Sequence, residues 1–437
     1  IRNVPYNRTF GAHTLTLFGG LETTDIQRNR TSFQAWGLQY QGGETPFYPY
    51  QLFKKQVEEG NPYYSLNNTN YRTVAMYSNL TYSYKGRYVF NGTYRYEGSN
   101  QLGLHSDARW MSTWNTSASW NVHEEDFFKS LRPLSHLTAR VSYSLTGTPP
   151  DPSYSSSSTI FKALTPFRPF AETQEPAIAI EELGNANLTY EKKNELNLGF
   201  DLGLWKDRIN FSFDVYTRNN FDELGFLVTQ GTGGDVLRPA NVAEMNSHGL
   251  ELSLSTSNIK TKNFSWNTSF VYSYTDSKIT KLYTANPVIQ LVTGSGFAKQ
   301  GYPARSLFSI PFEGISDQGL PLLRNEKGQI TSDNINFQER NLTSYLKYEG
   351  PTDPKHTGSL GNIFTYKRFS LNVFLTYAFG NVVRLDPKFR AYYNDMASMT
   401  HAFTNRWVKA GDEAHTTVPG IISKREYTKN NNLRYAY

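Results

Sequence analysis

"NELNLGFDLGLWKDRINFSFDVYTRN", residues 194 to 219, sets Leu196, Leu198, Phe200, Leu202 and Leu204 on one side of an extended chain and Glu195, Asn197, Gly199, Asp201 and Gly203 on the other. Successive side chains of a strand point to opposite faces, so each set lines one face. Lys206-Asp207-Arg208 is a turn signal, after which Ile209, Phe211, Phe213 and Val215 rejoin the apolar face and Asn210, Ser212 and Asp214 the polar one. The stretch is predicted to be a hairpin with one greasy and one wet face.

The same unit recurs along the chain. "LTYSYKGRYVFNGTYRYEGS" (80 to 99) alternates Leu80, Tyr82 and Tyr84 with Thr81 and Ser83, turns at Lys85-Gly86-Arg87, and returns through Tyr88, Phe90, Tyr94 and Tyr96. Further copies lie at 249 to 274 and at 358 to 380, the latter turning at Lys367-Arg368, with single strands at 13 to 24, 110 to 122 and 137 to 145. A soluble sandwich alternates too, so length has to discriminate. The predicted strands run about 10 to 13 residues, against about 5 to 6 in soluble sheets and about 9 to 11 for a tilted strand crossing a bilayer. Turns of a few residues on one rim face long connections on the other, at 148 to 193, 219 to 245, 276 to 304 and 381 to 404. That asymmetry belongs to outer-membrane barrels.

Composition agrees and narrows the field. Of 437 residues 15% are aromatic, mean hydropathy is −0.56, and no run approaches the ~18 apolar residues of a helical span. There is no Cys, which removes disulfide scaffolds, Cys-ligated zinc and thiol chemistry. The balance of 44 basic against 38 acidic residues is modest and scattered, so nucleic acid is not an expected partner. Ile1 to Asn7 show no signal-peptide pattern. Rings flank the short turns: Tyr82, Tyr84, Tyr88 and Phe90, then Trp205, then Tyr366 with Phe369. They are read as an aromatic girdle at the membrane boundary, in contact with outer-membrane lipid; the competing reading is cross-strand aromatic pairing in a soluble sheet. About a dozen such strands are fewer than the ~22 of the large plugged transporters, so the fold class expected is an all-β, antiparallel transmembrane barrel present in part.

"RYEGSNQLG" followed by "ARWMSTWNTSASWNVHEEDFF", then "NANLTYEKKNELNLGFDLGLWKDRINFSFDVYTRN", "NVAEMNSHGLELSL", "GYPARSLFSIPFEGISDQGLP" and "NRWVKAGDE" form an ordered series. Together they resemble the SusC/RagA-like TonB-dependent transporters of Bacteroidetes outer membranes. Glu97 stands where the family usually has Asp, and Tyr190 where Trp is more usual. The resemblance implies that residues 1–437 form one partial barrel domain of the bacterial outer membrane, with the plug and terminal strands outside this chain. It further implies import of an oligomeric nutrient, glycan or peptide, driven by the TonB system with a SusD-like surface lipoprotein as partner. Two alternatives stand beside it: a barrel of this type serving as a structural subunit of a larger membrane complex for secretion or barrel assembly, and a soluble β-rich adhesin.

Nothing in the sequence specifies catalysis, a cofactor or a metal. His123 beside Glu124 and Glu125 reads as a turn, "SDNINFQE" (332 to 339) lacks a calcium-loop register, and "GTGGD" (231 to 235) is not set between a strand and a helix. Asp222-Glu223 and Glu181-Glu182 read as solvated loop charge. Recognition is expected in the long loops, where Phe167, Arg168, Phe170, Phe221, Arg238, Tyr283, Phe297, Tyr392 and Tyr393 are the candidates for touching substrate or partner.

Overall fold

The computed structural model describes residues 2–36, 50–61, 63–103, 105–131, 133–150, 159–164, 177–228, 237–385 and 401–421. In chain order the strands are β1 (Arg2–Phe10), β2 (His13–Phe33), β3 (Tyr64–Tyr84), β4 (Tyr88–Ser99), β5 (Trp110–Asn121), β6 (Leu134–Thr148), β7 (Ile160–Leu164), β8 (Ala177–Glu182), β9 (Glu191–Leu204) and β10 (Ile209–Val228). There follow β11 (Leu237–Lys260), β12 (Phe264–Leu282), β13 (Ser306–Ser309), β14 (Phe312–Ile315), β15 (Pro321–Arg324), β16 (Ile330–Thr331), β17 (Lys347–Pro351), β18 (His356–Tyr366) and β19 (Phe369–Phe379). Twelve of them form one sheet in the order β1-β2-β3-β4-β5-β6-β9-β10-β11-β12-β18-β19. The chain divides into two compact units, one of 1–119, 142–194 and 221–242, the other of 120–141, 195–220 and 243–437. No helix among the described residues is long and apolar enough to cross a membrane.

In the first unit, register converts the alternation of single strands into continuous faces. Tyr6 pairs with Leu17, Leu17 with Leu80, Leu21 with Met76, Met76 with Tyr96, and Tyr82 with Phe90. This face is apolar and exposed, as Leu21 (54%) and Met76 (56%) show. Exposed apolar area on that scale requires a partner phase, and for a barrel strand the phase is lipid. The opposite face carries Glu22, Thr81, Asn91, Thr93, Arg95 and Glu97.

The second unit repeats the pattern. Leu252, Tyr272 and Tyr377 side with Leu254, Phe270, Leu360 and Leu375, while Ser253, Ser255, Ser269, Ser273 and Ser359 line the reverse. Phe200 lies 5.7 Å from Phe211 and from Phe213. On the reverse of that hairpin Arg140 pairs with Asp201 (3.2 Å) and Asp214 (3.1 Å). Gly199 leaves room for the Asp214 carboxylate, which a Cβ at this position would push aside.

Rings mark both borders of the apolar band. At the short-turn end Tyr366 is 54% exposed and Trp266 stacks on Phe364 at 5.6 Å. At the other end of the same strands His356 stacks on Phe379 (4.7 Å), lies 5.0 Å from Tyr274, and bonds the Tyr272 hydroxyl at 2.8 Å. The β18 strand between these belts has 11 residues. At about 3.3 Å per residue and a tilt of about 40° it rises roughly 25 Å, the height of an outer-membrane apolar band.

Strands are longer than the sequence predicts: β2 and β3 have 21 residues each, β10 has 20 and β11 has 24. The surplus lies on the long-loop side. Consequently much of 219 to 245, read from sequence as a loop, is strand: β10 runs on to Val228 and β11 begins at Leu237. The 276 to 304 connection likewise leads into a small folded cap. Its core joins Val288, Leu291, Phe308, Leu323, Ile335, Phe337 and Leu346. β13 pairs with β17, and β14-β15-β16 form a second small sheet.

Candidate recognition surface

The first unit presents a rigid polar platform where β9, β10 and β11 extend past the apolar band. Asn241 organises it. Its Oδ1 accepts from Thr189 N–H at 3.0 Å, and its Nδ2 donates to the carbonyls of Thr189 (3.0 Å) and Asp222 (2.5 Å). Asn185 ties in the strand start by donating to the Pro239 carbonyl at 3.0 Å. Asp222 adopts a left-handed conformation (φ 58°), and its carboxylate takes the Lys192 ammonium at 2.8 Å. Lys192 also lies 5.8 Å from the Phe221 ring. Glu191 Oε1 accepts from Leu224 N–H at 2.9 Å. Burial and the neighbouring Glu191 raise the Glu223 carboxyl above the ordinary glutamate range. A hollow of about 650 Å³ opens here between Thr148, Pro149, Pro150, Glu191, Leu224 and Pro239. Beneath the platform Leu102, Met111 and Tyr190 pack into a buried cluster.

The second unit presents the cap. Tyr283 is 63% exposed and lines a hollow of about 310 Å³ with Asn286, Lys299, Arg340 and Thr343. Lys299 donates to the Thr343 carbonyl at 2.8 Å and sits over the rings of Phe308 (5.0 Å) and Tyr302 (5.5 Å). Burial lowers its pKa from the usual lysine value. Arg340 reaches the Ala285 carbonyl at 3.1 Å. Phe297 is 38% exposed and bridges to Ser306. Tyr345 is half-buried, and desolvation together with the nearby Glu326 and Glu339 pushes its phenol up to about 12. The segment 401–421 docks on the cap: Gly420 N–H donates to the Gly319 carbonyl at 2.8 Å, and the Trp407 ring lies so close to Gly319 (φ +77°) that no side chain fits there.

Of the residues expected to recognise substrate or partner, Phe221 and Arg238 stand on strands of the platform, and not in a loop as their sequence context suggests. Tyr283 and Phe297 belong to the cap connection. Phe167, Arg168, Phe170, Tyr392 and Tyr393 lie outside the described residues. Asp222 and Glu223 are not the solvated loop pair the sequence suggests, since both stand on a strand, one ion-paired and the other half-buried. "NRWVKAGDE" proves to be a self-tying turn. Glu413 Oε2 accepts from Trp407 Nε1 (2.9 Å) and Gly411 N–H (2.8 Å), while Asp412 Oδ2 accepts from the N–H groups of Val408 and Lys409 (3.0 Å each). Alternation does not pick out Asn241 or Asn185, because a side chain that braces backbone has no periodic signature.

An antiparallel sheet with a lipid face, a charge-paired polar face, two ring belts and elaborated strands on one side defines an outer-membrane barrel wall of receptor type. The sequence matches the family described as TonB dependent receptor-like, beta-barrel, over residues 2–420, and the chain belongs to that family. It is 24% identical over 460 residues to TonB-dependent receptor P3 of Formosa agariphila, covering 99% of this chain and 44% of that protein. It is 27% identical over 283 residues to TonB-dependent receptor SusC of Bacteroides thetaiotaomicron, covering 64% of this chain and 27% of that one. Among solved structures the RagAB peptide transporter superposes with a TM-score of 0.74 at 20% identity, covering 96% of this chain and 45% of the other. The chain thus spans less than half the length of these relatives. Its fold, its outer-membrane setting and its SusC/RagA type are those the sequence resemblance implies, and the relatives are receptors and transporters.

Proposed function

We propose that this chain supplies much of the barrel wall of a TonB-driven importer for an oligomeric nutrient, a glycan or a peptide, working with a SusD-like surface lipoprotein. The reading is carried by one observation. The strands do not stop at the membrane; they continue into a braced platform and a folded cap that hold Phe221, Arg238, Tyr283 and Phe297 on the side of the long connections. A barrel that served only as a wall would not need them. The inward charges form closed groups, Arg95 with Glu22 (2.9 Å) and Glu97 (2.6 Å), and Arg140 with Asp201 and Asp214, as suits a wet lumen. Aromatic and Arg side chains on a rigid support suit both sugar rings and peptide carbonyls. A plug and a TonB-contacting segment belong to this proposal as parts outside residues 1–437.

The test compares wild type with the pairs Phe221→Ala/Arg238→Ala and Tyr283→Ala/Phe297→Ala. Partner recovery from solubilised outer membranes and uptake of labelled oligosaccharides and oligopeptides are measured for each. At least one pair is expected to reduce both several-fold while the barrel retains its heat-modifiable migration. Unchanged recovery and uptake in both pairs would transfer the weight to a structural subunit of a larger membrane complex.

A further inference from the structure

We propose that the short-turn rim of the second unit binds the headgroup phosphates of anionic phospholipids in the inner leaflet of the outer membrane. Strands β9-β10, β11-β12 and β18-β19 are consecutive hairpins of the sheet. Their turns carry Lys206, Arg208, Lys260, Lys262, Lys367 and Arg368, all exposed. Hydrogen bonds join the turns into one line. Ser257 N–H donates to the Arg208 carbonyl (2.7 Å), Arg208 Nη2 donates to the carbonyls of Ser257 (3.2 Å) and Asn258 (2.9 Å), and Lys367 N–H donates to the Asn263 carbonyl (2.8 Å). The acid within these turns, Asp207, is held by His136 Nδ1 at 3.0 Å. The β5-β6 connection is mixed in charge, with Lys129 and Arg132 beside Glu124, Glu125 and Asp126.

Exposed rings fix the depth of these cations. Trp205 (54%), Tyr366 (54%) and Phe369 (78%) flank the turns, and the Lys367 ammonium lies 5.4 Å over the Tyr366 ring. Rings of this kind settle at the boundary of hydrocarbon and water, which places the adjoining ammonium and guanidinium groups at the level of lipid phosphates. Trp205, Lys206, Asp207 and Lys367 adopt the left-handed conformation of tight turns, with φ between 52° and 60°. The proposal rests on the orientation of the barrel and not on import.

The full chain is reconstituted in phosphatidylcholine vesicles containing a photoactivatable analogue of either phosphatidylglycerol or phosphatidylcholine, at equal mole fraction. Cross-linked peptides are then mapped. The phosphatidylglycerol analogue should label the peptides of the three turns about tenfold more than the phosphatidylcholine analogue. That preference should vanish in the variant Lys206→Gln, Lys260→Gln, Lys262→Gln, Lys367→Gln, Arg368→Gln, which keeps Arg208 and its structural bonds. Heat-modifiable migration confirms that the variant barrel is folded. Equal labelling by the two lipids, or a preference surviving in the folded variant, overturns the proposal. So does suppression by inorganic phosphate beyond that caused by NaCl of equal ionic strength, which would assign the line to a soluble anion.

Discussion

Arginine scanning along the apolar face of β9 should trace the bilayer in energy. Trp205 sits at the short-turn border, and each residue back along the strand climbs about 2.5 Å, from a rise of about 3.3 Å and a tilt of about 40°. Leu204, Leu202, Phe200, Leu198 and Leu196 therefore stand at about 3, 8, 13, 18 and 23 Å in a band about 25 Å tall. Phe200 is nearest the midplane. Phe200→Arg should cost about 2–4 kcal/mol, Leu202→Arg and Leu198→Arg about 1–2, and Leu204→Arg and Leu196→Arg about 0–1. Loss of the Phe200 contacts with Phe211 and Phe213 adds about 0.5–1.5 kcal/mol, which Phe200→Ala measures separately. The assay is equilibrium unfolding in lipid vesicles followed by tryptophan fluorescence. In a water-facing sheet, Leu198 at 53% exposure would tolerate Arg with little loss, and the cost would follow burial instead of height. A flat profile, or a maximum at either end of the strand, refutes the membrane placement.

Four further outcomes follow from the geometry. A cysteine at position 201 should react with small aqueous thiol reagents in intact outer membranes while one at position 200 does not; the reverse pattern would invert the two faces. Gly199→Ala should cost about 1–2 kcal/mol in the same unfolding assay, because the new Cβ displaces Asp214 from Arg140. Phe308→Ala should open a cavity in the cap worth about 3–5 kcal/mol, read as local loss of hydrogen-exchange protection with β18 and β19 unaffected. Glu339 Oε1 accepts the N–H groups of Arg340 (3.0 Å), Asn341 (2.8 Å) and Leu342 (3.0 Å), which holds its carboxyl below the usual glutamate range. The unfolded cap then binds the proton more readily, so this stabilisation is present above about pH 4.5 and is lost as pH falls through the lowered folded value; Glu339→Gln should flatten that acid limb in hydrogen exchange.

The hairpins were legible in the sequence because membrane strands must alternate against hydrocarbon, and Leu196 to Leu204 have little freedom to do otherwise. Strand lengths were not. Beyond the apolar band both faces of the sheet meet water, so Asp25, Gln27, Arg28, Asn29 and Arg30 of β2 continue the ladder without any apolar period to reveal it. The same loss of pattern hid the outer half of β10 and β11 and made Phe221 and Arg238 look like loop residues. The Lys192–Asp222 ion pair and the Asn241 amide that bridges Thr189 and Asp222 are equally invisible, since an ion pair across strands and an amide bridging two backbones depend on register and leave no spacing in the chain.

The cap failed to show for a different reason. Its core is assembled from residues scattered singly or in pairs, Val288 with Leu291, Phe308, Leu323, Ile335 with Phe337, and Leu346, among turns that carry their own hydrogen bonds. Asn325 is fully buried, accepting from the N–H groups of Lys327 (3.0 Å) and Gln329 (2.9 Å) while donating to the Asn334 carbonyl (3.0 Å). From sequence such a stretch looks like polar loop, and "SDNINFQE" resembles only a poor calcium site. In the fold it delivers Ile335 and Phe337 to the core. A connection with its own hydrophobic centre keeps a fixed shape without support from the membrane strands, which distinguishes a recognition element from a tether. Tyr283 and Phe297 matter for that reason: they project from the base of a body whose geometry is set before any ligand arrives, so substitutions there should change binding without changing the cap's protection from exchange.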